Sequence, residues 1–323
     1  MRTIALNSLF ETPALIHVAV AVIKNPRQEV LVALRRPDSH QGGLWEFPGG
    51  KVEESESVFT ALQREIQEEL DLSISAAFPF IKISHDYGDK RVLLDVWQVT
   101  EFGGTAIGRE GQQIQWLPPV DMQEQDFPAA NRRIIDLLKL PLEMAITPAL
   151  QELTALSDYL EKVAAADVKL VQLRQKQLPT DALLKWASHA GALCERLGLQ
   201  LVLNASVDLI PVLPDGMGLH LSATELGKFT APLAKPDTLL GCSCHSRDEL
   251  RRAEALSVDY ALLSPVAETK KYPAGAAFGW PGFAELAADV SVPVYALGGL
   301  RREDLDIAQS MGAVGIAGIS MYP

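Results

Sequence analysis

The sequence predicts two domains in tandem: an α+β domain over residues 1–142, with a mixed curved sheet between helices, and over residues 143–323 a compact α/β barrel of the (β/α)8 type lacking its last helix. Three observations predict this. The 323 residues are about twice an average domain. Strand and helix signals are mixed irregularly before Pro141, whereas after it short apolar runs alternate regularly with helical segments. Eight such runs follow, the strand number of a closed parallel barrel.

In the first domain, Ile16–Ile23 and Glu29–Leu34 are short and rich in Val, Ala and Ile, with Asn25-Pro26-Arg27 between them, the pattern of a hairpin. A Gly/Pro-rich loop over Gln41–Gly50 leads into Ser57–Leu70. There Val58, Leu62, Ile66 and Leu70 recur every four residues, an amphipathic helix with Ser57 as N-cap. Further strands are expected around Ile81–Ser84, Arg91–Thr100 and Gln113–Trp116, then a polar helix over Ala130–Leu140. In the second domain the strand candidates are Met144–Ile146, Lys169–Leu173, Gln200–Leu203, Gly218–Leu221, Thr238–Cys242, Tyr260–Ser264, Val292–Leu297 and Val314–Ile319. No helical segment follows the eighth, so that side of the barrel is expected to be covered by the first domain or by a second subunit, as in a homodimer.

Composition excludes several classes of function. With 41 acidic against 29 basic residues the net charge is −12, which removes the basic footprint that a nucleic acid polymer requires. The longest strongly apolar stretch, Thr12–Ile23, is about half of the roughly 20 residues a membrane span needs. A cytoplasmic protein with no membrane partner is expected. Cys194, Cys242 and Cys244 are too few for a disulfide framework and should be reduced, packed thiols.

The sharpest chemical signal is Gly50-Lys51-Val52-Glu53-Glu54-Ser55-Glu56 followed by Arg64-Glu65-Ile66-Gln67-Glu68-Glu69. On a helix Glu65, Glu68 and Glu69 stand at i, i+3 and i+4, so three carboxylates crowd one face. Spacing alone leaves two explanations open: a solvated acidic surface, or hard oxygen ligands for Mg²⁺.

The segment resembles the Nudix box, a Gly followed after five residues by Glu and after seven more by Arg-Glu-x-x-Glu-Glu. That resemblance implies metal ligation by Glu65, Glu68, Glu69 and the Gly50 carbonyl, an internal Glu56–Arg64 ion pair, and Mg²⁺, or Mn²⁺, as cofactor. Asp71 stands where the family has Gly at the helix end, a position that often takes positive φ, which Asp tolerates. Leu34-Arg35-Arg36-Pro37-Asp38-Ser39-His40, Trp45-Glu46-Phe47-Pro48-Gly49-Gly50, Arg109-Glu110-Gly111-Gln112 and Asp126-Phe127-Pro128-Ala129-Ala130-Asn131 extend the similarity to the MutT type, which hydrolyses oxidised guanine nucleoside triphosphates. By that similarity Glu110 joins the metal site, and Arg36, His40, Phe47, Asp89 and Asn131 surround the base. The reaction implied is metal-assisted attack of water on the β-phosphorus of 8-oxo-dGTP, which gives the monophosphate and pyrophosphate, cleans the nucleotide pool and prevents mutation. Glu65 or Glu110 would be the base, and Lys51 would neutralise the departing phosphate unless it is simply solvated. The alternative is another nucleoside diphosphate derivative, since the box fixes the diphosphate chemistry and not the base.

Asn131 has a separate physical case. Oxidation at C8 puts a hydrogen on N7, so an Asn carbonyl can accept from N7 while its amide donates to O6; ordinary guanine would leave that carbonyl unpaired, at about 1–3 kcal/mol if buried. Its other explanation is an N-cap, since it opens an expected helix.

The second half resembles thiamine-phosphate synthase and its relative TenI. Val171-Gln172-Leu173-Arg174-Gln175-Lys176, Gly218-Leu219-His220-Leu221, Ala296-Leu297-Gly298-Gly299 and Gly315-Ile316-Ala317-Gly318-Ile319-Ser320 carry the similarity. It implies a phosphate site formed by Gln172, Arg174, Lys176, Asn204, Gly298, Gly299, Gly318 and Ser320, and a thiamine-related phosphate as ligand. The catalytic part departs from the family: Asn204-Ala205-Ser206 stands for Asn-Asp-Arg, Glu225 for an Asp, Pro265 for the acid/base His, and Glu268-Thr269-Lys270 shortens a loop. A single carboxylate is a poor Mg²⁺ cage, so a degenerate phosphate-binding or structural module is expected, with a bifunctional protein having real synthase activity as the alternative.

Overall fold

The computed structural model describes residues 15–38, 41–88, 90–229, 239–269 and 277–322. The chain divides into two compact units, one drawn from residues 1–75 and 82–135 and the other from residues 76–81 and 136–323.

The strands before the barrel are β1 (Leu15–Ile23), β2 (Val30–Leu34), β3 (Trp45–Glu46), β4 (Gly49–Lys51), β5 (Ser73–Asp86), β6 (Arg91–Gly103) and β7 (Ile114–Leu117); α1 (Val58–Leu70) precedes β5 and α2 (Arg132–Leu138) follows β7. They form two sheets, one ordered β4-β1-β6-β5 and one ordered β3-β2-β7. The expected β1–β2 hairpin is corrected here, because the two strands belong to different sheets. Asn25 does build a turn, its Oδ1 accepting from the N–H groups of Arg27 and Glu29, but the ladder ends after the single Lys24–Val30 bridge. Ala19–Ile23 are buried on both faces, which suits a central strand, and β1 runs parallel to β6 over nine residue pairs with β4 antiparallel on its other side. The helix expected from Ala130 begins as a 3₁₀ turn over Ala129–Asn131 and becomes α-helical at Arg132.

Helix α1 forms where the four-residue apolar spacing places it. The Ser57 side chain accepts from Thr60 N–H, and Ala61, Leu62, Ile66 and Leu70 are buried. Each such Leu or Ile contributes about 1.5–3 kcal/mol, so a charge at Ile66 would break this face. Asp71 ends the helix at φ 59° and ψ 29°, its N–H bonded to Gln67 O. The left-handed position expected at this departure from the box is present.

The second unit is a closed barrel of β8 (Glu143–Ile146), β9 (Leu170–Leu173), β10 (Gln200–Asn204), β11 (Gly218–Leu221), β12 (Leu240–Cys244), β13 (Tyr260–Leu263), β14 (Val294–Leu297) and β15 (Gly315–Gly318), all parallel. Around it run α3 (Leu153–Ala165), α4 (Thr180–Leu197), α5 (Ala223–Leu226), α6 (Arg247–Ala255), α7 (Gly279–Ala287) and α8 (Leu305–Ser310). The barrel is compact because the connection after β10 is a 3₁₀ segment over Val207–Val212 and α5 is a single turn. Among the described residues no helix follows β15; instead Tyr322 is buried outside the barrel and donates to Glu143 Oε2 at 3.0 Å.

Outward residues such as Val171, Leu173, Leu219, Cys242 and Leu263 pack under the helices. Tyr260 and Tyr295 are fully buried with rings edge to face. A Cβ at Gly241 would lie 2.0 Å from the Tyr260 ring, so only glycine lets that tyrosine stand there. Cys194, Cys242 and Cys244 are free and buried. Among the described residues no helix is long and apolar enough to cross a membrane.

Candidate functional site

In the first unit the loop before α1 is held by Arg64. Its Nε and Nη2 donate to the two Glu56 oxygens at 3.1 and 2.9 Å, Nη2 also reaches Lys51 O at 3.1 Å, and Nη1 donates to Glu65 Oε1 at 2.8 Å. The guanidinium bonds, with a further bond from the Glu53 N–H, hold the Glu56 carboxyl below its ordinary range. This is the ion pair the box predicted. It pins the backbone of β4 against the helix, so Gly50 lies directly on Glu65: a Cβ there would be 2.1 Å from the carboxylate carbon.

Glu69, one turn after Glu65, accepts from Gly49 N–H at 3.4 Å. Burial, followed by the negative charges of Glu46, Glu65 and Glu110, pushes its carboxyl up to about 8. Glu110 comes from a distant loop that is laced to the end of α1: Ile107 N–H donates to Leu70 O, Arg109 N–H and Gln112 Nε2 donate to Glu69 O, and Arg109 Nη1 donates to Asp71 Oδ1. Thus Gly50 lies on Glu65, and the charges of Glu65 and Glu110 both act on Glu69, while Glu68 is 62% exposed and 3.7 Å from Arg64. Among the described residues no three acidic, His or Cys side chains already close on one point as a finished cage. The donors are nonetheless a hard-oxygen set of carboxylates with a backbone carbonyl, and the close Gly50 cradle and the mutual repulsion at Glu69 suit a divalent cation.

Beside this cluster lies a cavity of about 230 Å³. Ile16, Val18, Val92 and Leu94 form an apolar wall, and Phe47, Lys51 and Asn131 also line the cavity. Phe47 is buried and stacks on Phe127 with centroids 5.7 Å apart. Asn131 is also buried, and its Oδ1 has no hydrogen-bond partner. The N-cap alternative fails, because the Oδ1 that would accept a first-turn N–H of α2 has no partner. Arg36 is a correction: its side chain is 63% exposed beside Asp38, and Arg35 lines the cavity instead, paired with Glu46. The neighbouring side chains leave the strand end on opposite sides, so only one can face inward. Burial raises the Glu46 carboxyl while Arg35 opposes the shift. His40 and Asp89 lie outside the described residues. Besides Arg35 and Glu46, the sequence reading missed Tyr87, another cavity residue.

In the barrel, Gln172, Arg174 and Asn204 lie at or just beyond the ends of β9 and β10. Gln172 is buried and its Nε2 has no partner. Gln175, by contrast, is committed to Thr147 Oγ1, Pro148 O and Leu150 N–H, and ties β9 to the loop after β8. His220, whose motif was visible but whose role was not, bonds Tyr260 Oη through Nδ1 at 3.0 Å and Ser243 Oγ through Nε2 at 2.9 Å. Burial, then the charges of Arg174 and Lys176, push its imidazole down to about 3, so both cations act on the barrel interior. Gly298 and Gly299 make a turn at φ 106° and 70°. Gly318 faces Met321, and Ser320 is exposed.

Two of the four departures from the family have local structural partners. Ala205 packs against the buried apolar residues beneath the barrel helices, and Ser206 Oγ caps the following 3₁₀ segment by accepting from Asp208 N–H. Glu225 Oε1 is paired with Lys228 at 2.5 Å, and its buried Oε2 has no partner. These residues do not make a cage for a divalent ion. Lys270 lies outside the described residues.

Comparison with known proteins agrees with both halves. The NUDIX domain profile matches residues 19–137, and the thiamine monophosphate synthase profile matches residues 143–322. An 8-oxo-dGTP diphosphatase of Escherichia coli is 35% identical over 124 residues, which is 38% of this chain and 96% of that protein. A CTP pyrophosphohydrolase of the same organism is 32% identical over 122 residues, 38% of this chain and 90% of that protein. A thiamine-phosphate synthase of Azorhizobium caulinodans is 34% identical over 167 residues, 51% of this chain and 78% of that protein. The chain belongs to the Nudix family through its N-terminal part and to the thiamine monophosphate synthase family through its C-terminal part.

Proposed function

We propose that the N-terminal unit hydrolyses 8-oxo-dGTP to the monophosphate and pyrophosphate with Mg²⁺ in the cytoplasm, removing a mutagenic nucleotide from the pool. The observation that carries the choice of base is the Asn131 carbonyl, buried on the cavity wall without a hydrogen-bond partner. An N7–H supplies the missing donor, and unmodified guanine does not. The Asn131 amide would donate to O6, and Phe47 would bound the base from the cavity wall.

Gly50, Glu65, Glu69 and Glu110 would hold the ion, with Glu68 at the rim. A divalent cation bound there neutralises phosphate charge and polarises a phosphoryl oxygen. Lys51, exposed beside the cluster, would neutralise the departing pyrophosphate. Of the two candidate bases, Glu65 is engaged by Arg64, whereas Glu110 is exposed to water at the cluster's edge. Glu110 would therefore take the proton of the attacking water.

For the barrel the favoured role is a phosphate-ligand binding module without synthase chemistry. The unpaired Gln172 amide and the Arg174 and Lys176 charges support binding, while Ala205, Ser206 and the Lys228-bound Glu225 argue against a metal pyrophosphate site. Calorimetry with thiamine phosphate tests binding, and condensation of a pyrimidine pyrophosphate with a thiazole phosphate tests synthase activity.

The experiment for the hydrolase is kcat/KM with Mg²⁺ for 8-oxo-dGTP, dGTP and CTP, in the wild type and in Asn131→Ala. A preference for 8-oxo-dGTP that collapses in the variant is expected. Equal turnover of the three by the wild type would refute the base assignment, and near wild-type rates in both Glu65→Gln and Glu69→Gln would refute the metal site.

A further inference from the structure

The cavity of the first unit holds a second orphan acceptor, which the base assignment does not use. Gln41 lines the same cavity as Asn131, and its Oε1 is buried with no hydrogen-bond partner among the described residues. A buried carbonyl without a donor carries its full desolvation cost, and nearly all buried polar groups in folded proteins are paired. The Gln41 backbone is also left-handed, at φ 57°, a conformation that suits glycine and disfavours a residue with a Cβ. The connection between β2 and β3 holds it there. Arg35 N–H donates to Leu44 O at 2.9 Å and Gly43 N–H donates to Arg35 O at 3.1 Å, which closes the connection at its base. Gly42 lies so close to the outgoing chain that a Cβ would stand 2.4 Å from Arg36 O and 2.6 Å from Pro37 O. Two costs, the unpaired carbonyl and the left-handed backbone, therefore fall on one cavity residue. Such costs gather where a ligand supplies the missing partner.

The chemistry of the two orphans describes that ligand. Both are acceptors, so it must bring at least two donors. On the assignment above, Asn131 takes N7–H and serves O6. The donors that remain on a guanine-type base are N1–H and the 2-amino group, side by side on one edge, where an adenine-type base offers an acceptor and a C–H. We propose that Gln41 is a second specificity-determining residue, its carbonyl accepting a hydrogen bond from the N1–H/2-amino edge of a guanine-type base. Asn131 selects the oxidised ring over the unmodified one, and Gln41 selects guanine over adenine. The inference rests on the placement of a base in this cavity made above, and the two selections are measured separately.

The test is calorimetric binding of 8-oxo-dGMP, 8-oxo-dAMP, 8-oxo-dIMP and dGMP to the full-length wild type and to Gln41→Met, which keeps the length of the side chain and removes the amide. Gln41→Met should weaken 8-oxo-dGMP three- to tenfold, about the value of one neutral hydrogen bond, and leave 8-oxo-dAMP unchanged. 8-oxo-dIMP keeps N1–H and lacks the 2-amino group: a retained effect assigns the bond to N1–H, and a lost effect assigns it to the 2-amino group. Gln41→Gly removes the same acceptor and relieves the left-handed backbone, so it should show the same selective loss with a melting temperature no lower than that of the wild type, which a structural role for the side chain would not produce. No weakening in either variant, equal weakening of 8-oxo-dGMP and 8-oxo-dAMP, or no binding of any probe by the wild type would overturn the proposal. If the wild type binds dGMP as tightly as 8-oxo-dGMP, the Asn131 assignment fails by itself, while a loss in Gln41→Met confined to the guanine nucleotides still supports Gln41.

Discussion

Acid should weaken the barrel through one histidine. His220 is fully buried between Tyr260 and Ser243, faces the charges of Arg174 and Lys176, and titrates at about 3. In the unfolded chain it titrates near 6.5. Because the folded value lies below the unfolded one, the neutral ring's contribution is complete above about pH 6.5 and is lost as pH falls toward 3. Within that window the unfolded state binds a proton that the folded state refuses, and each pH unit costs about 1.4 kcal/mol. At pH 4 the loss is about 3.5 kcal/mol, the product of that slope and roughly two and a half pH units. Carboxylates also titrate in this range, so the measured quantity is a difference: urea unfolding of full-length wild type and His220→Gln at pH 7, 6, 5 and 4. The variant loses stability at pH 7 because two buried hydrogen bonds are disturbed. The wild-type advantage should then shrink by about 3.5 kcal/mol on going to pH 4. Parallel stability curves for the two proteins would refute a buried neutral imidazole.

Three further outcomes follow from contacts described above. Gly50→Ala places a methyl 2.1 Å from the Glu65 carboxylate carbon, so pyrophosphate release should fall at least a hundredfold while the circular dichroism spectrum is retained; normal turnover would mean that the cradle can open. Asp71→Ala puts an ordinary side chain at φ 59° and removes bonds to Arg109 and Gln67, so it should destabilise the first unit by about 1–2 kcal/mol, measured by urea unfolding, with Asp71→Gly costing less. Gln172→Leu removes a buried amide that lacks a partner, so the unliganded barrel should gain about 1 kcal/mol while thiamine phosphate binding, followed by calorimetry, is lost; a destabilised variant would show that Gln172 has a structural bond.

The box was legible because its chemistry fixes its spacing. Carboxylates at i and i+4 must share a helix face, and Arg64 must reach back to Glu56 whatever surrounds them. The barrel strands were legible for a similar reason, since parallel strands covered on both sides are short, apolar and evenly spaced. Legibility failed where a residue's partner lies far away in the chain. Asn25 marks a real turn, yet the apolar character of Ala19–Ile23 on both faces decides that β1 pairs with β6 and not with β2. Arg35 and Arg36 are identical as letters, and only the direction of the strand end separates the one in the cavity from the one in water. Tyr87 went unnoticed because nothing local announces that it lines the cavity. His220 stood in a recognised motif, but its two hydrogen bonds come from β12 and β13.

The closing seam of the barrel has a consequence in time. The β15 strand completes the ring by pairing Ile316 with Glu143, Ala317 with Met144 and Gly318 with Ala145. Its partner β8 is the first barrel strand to leave the ribosome and β15 the last, so throughout the synthesis of this unit β8 keeps a bare edge of unpaired N–H and C=O groups. Such edges recruit other strands. The growing chain is therefore most exposed to wrong pairing just before β15 emerges, and chaperone demand should rise with any slowing of translation between β14 and β15.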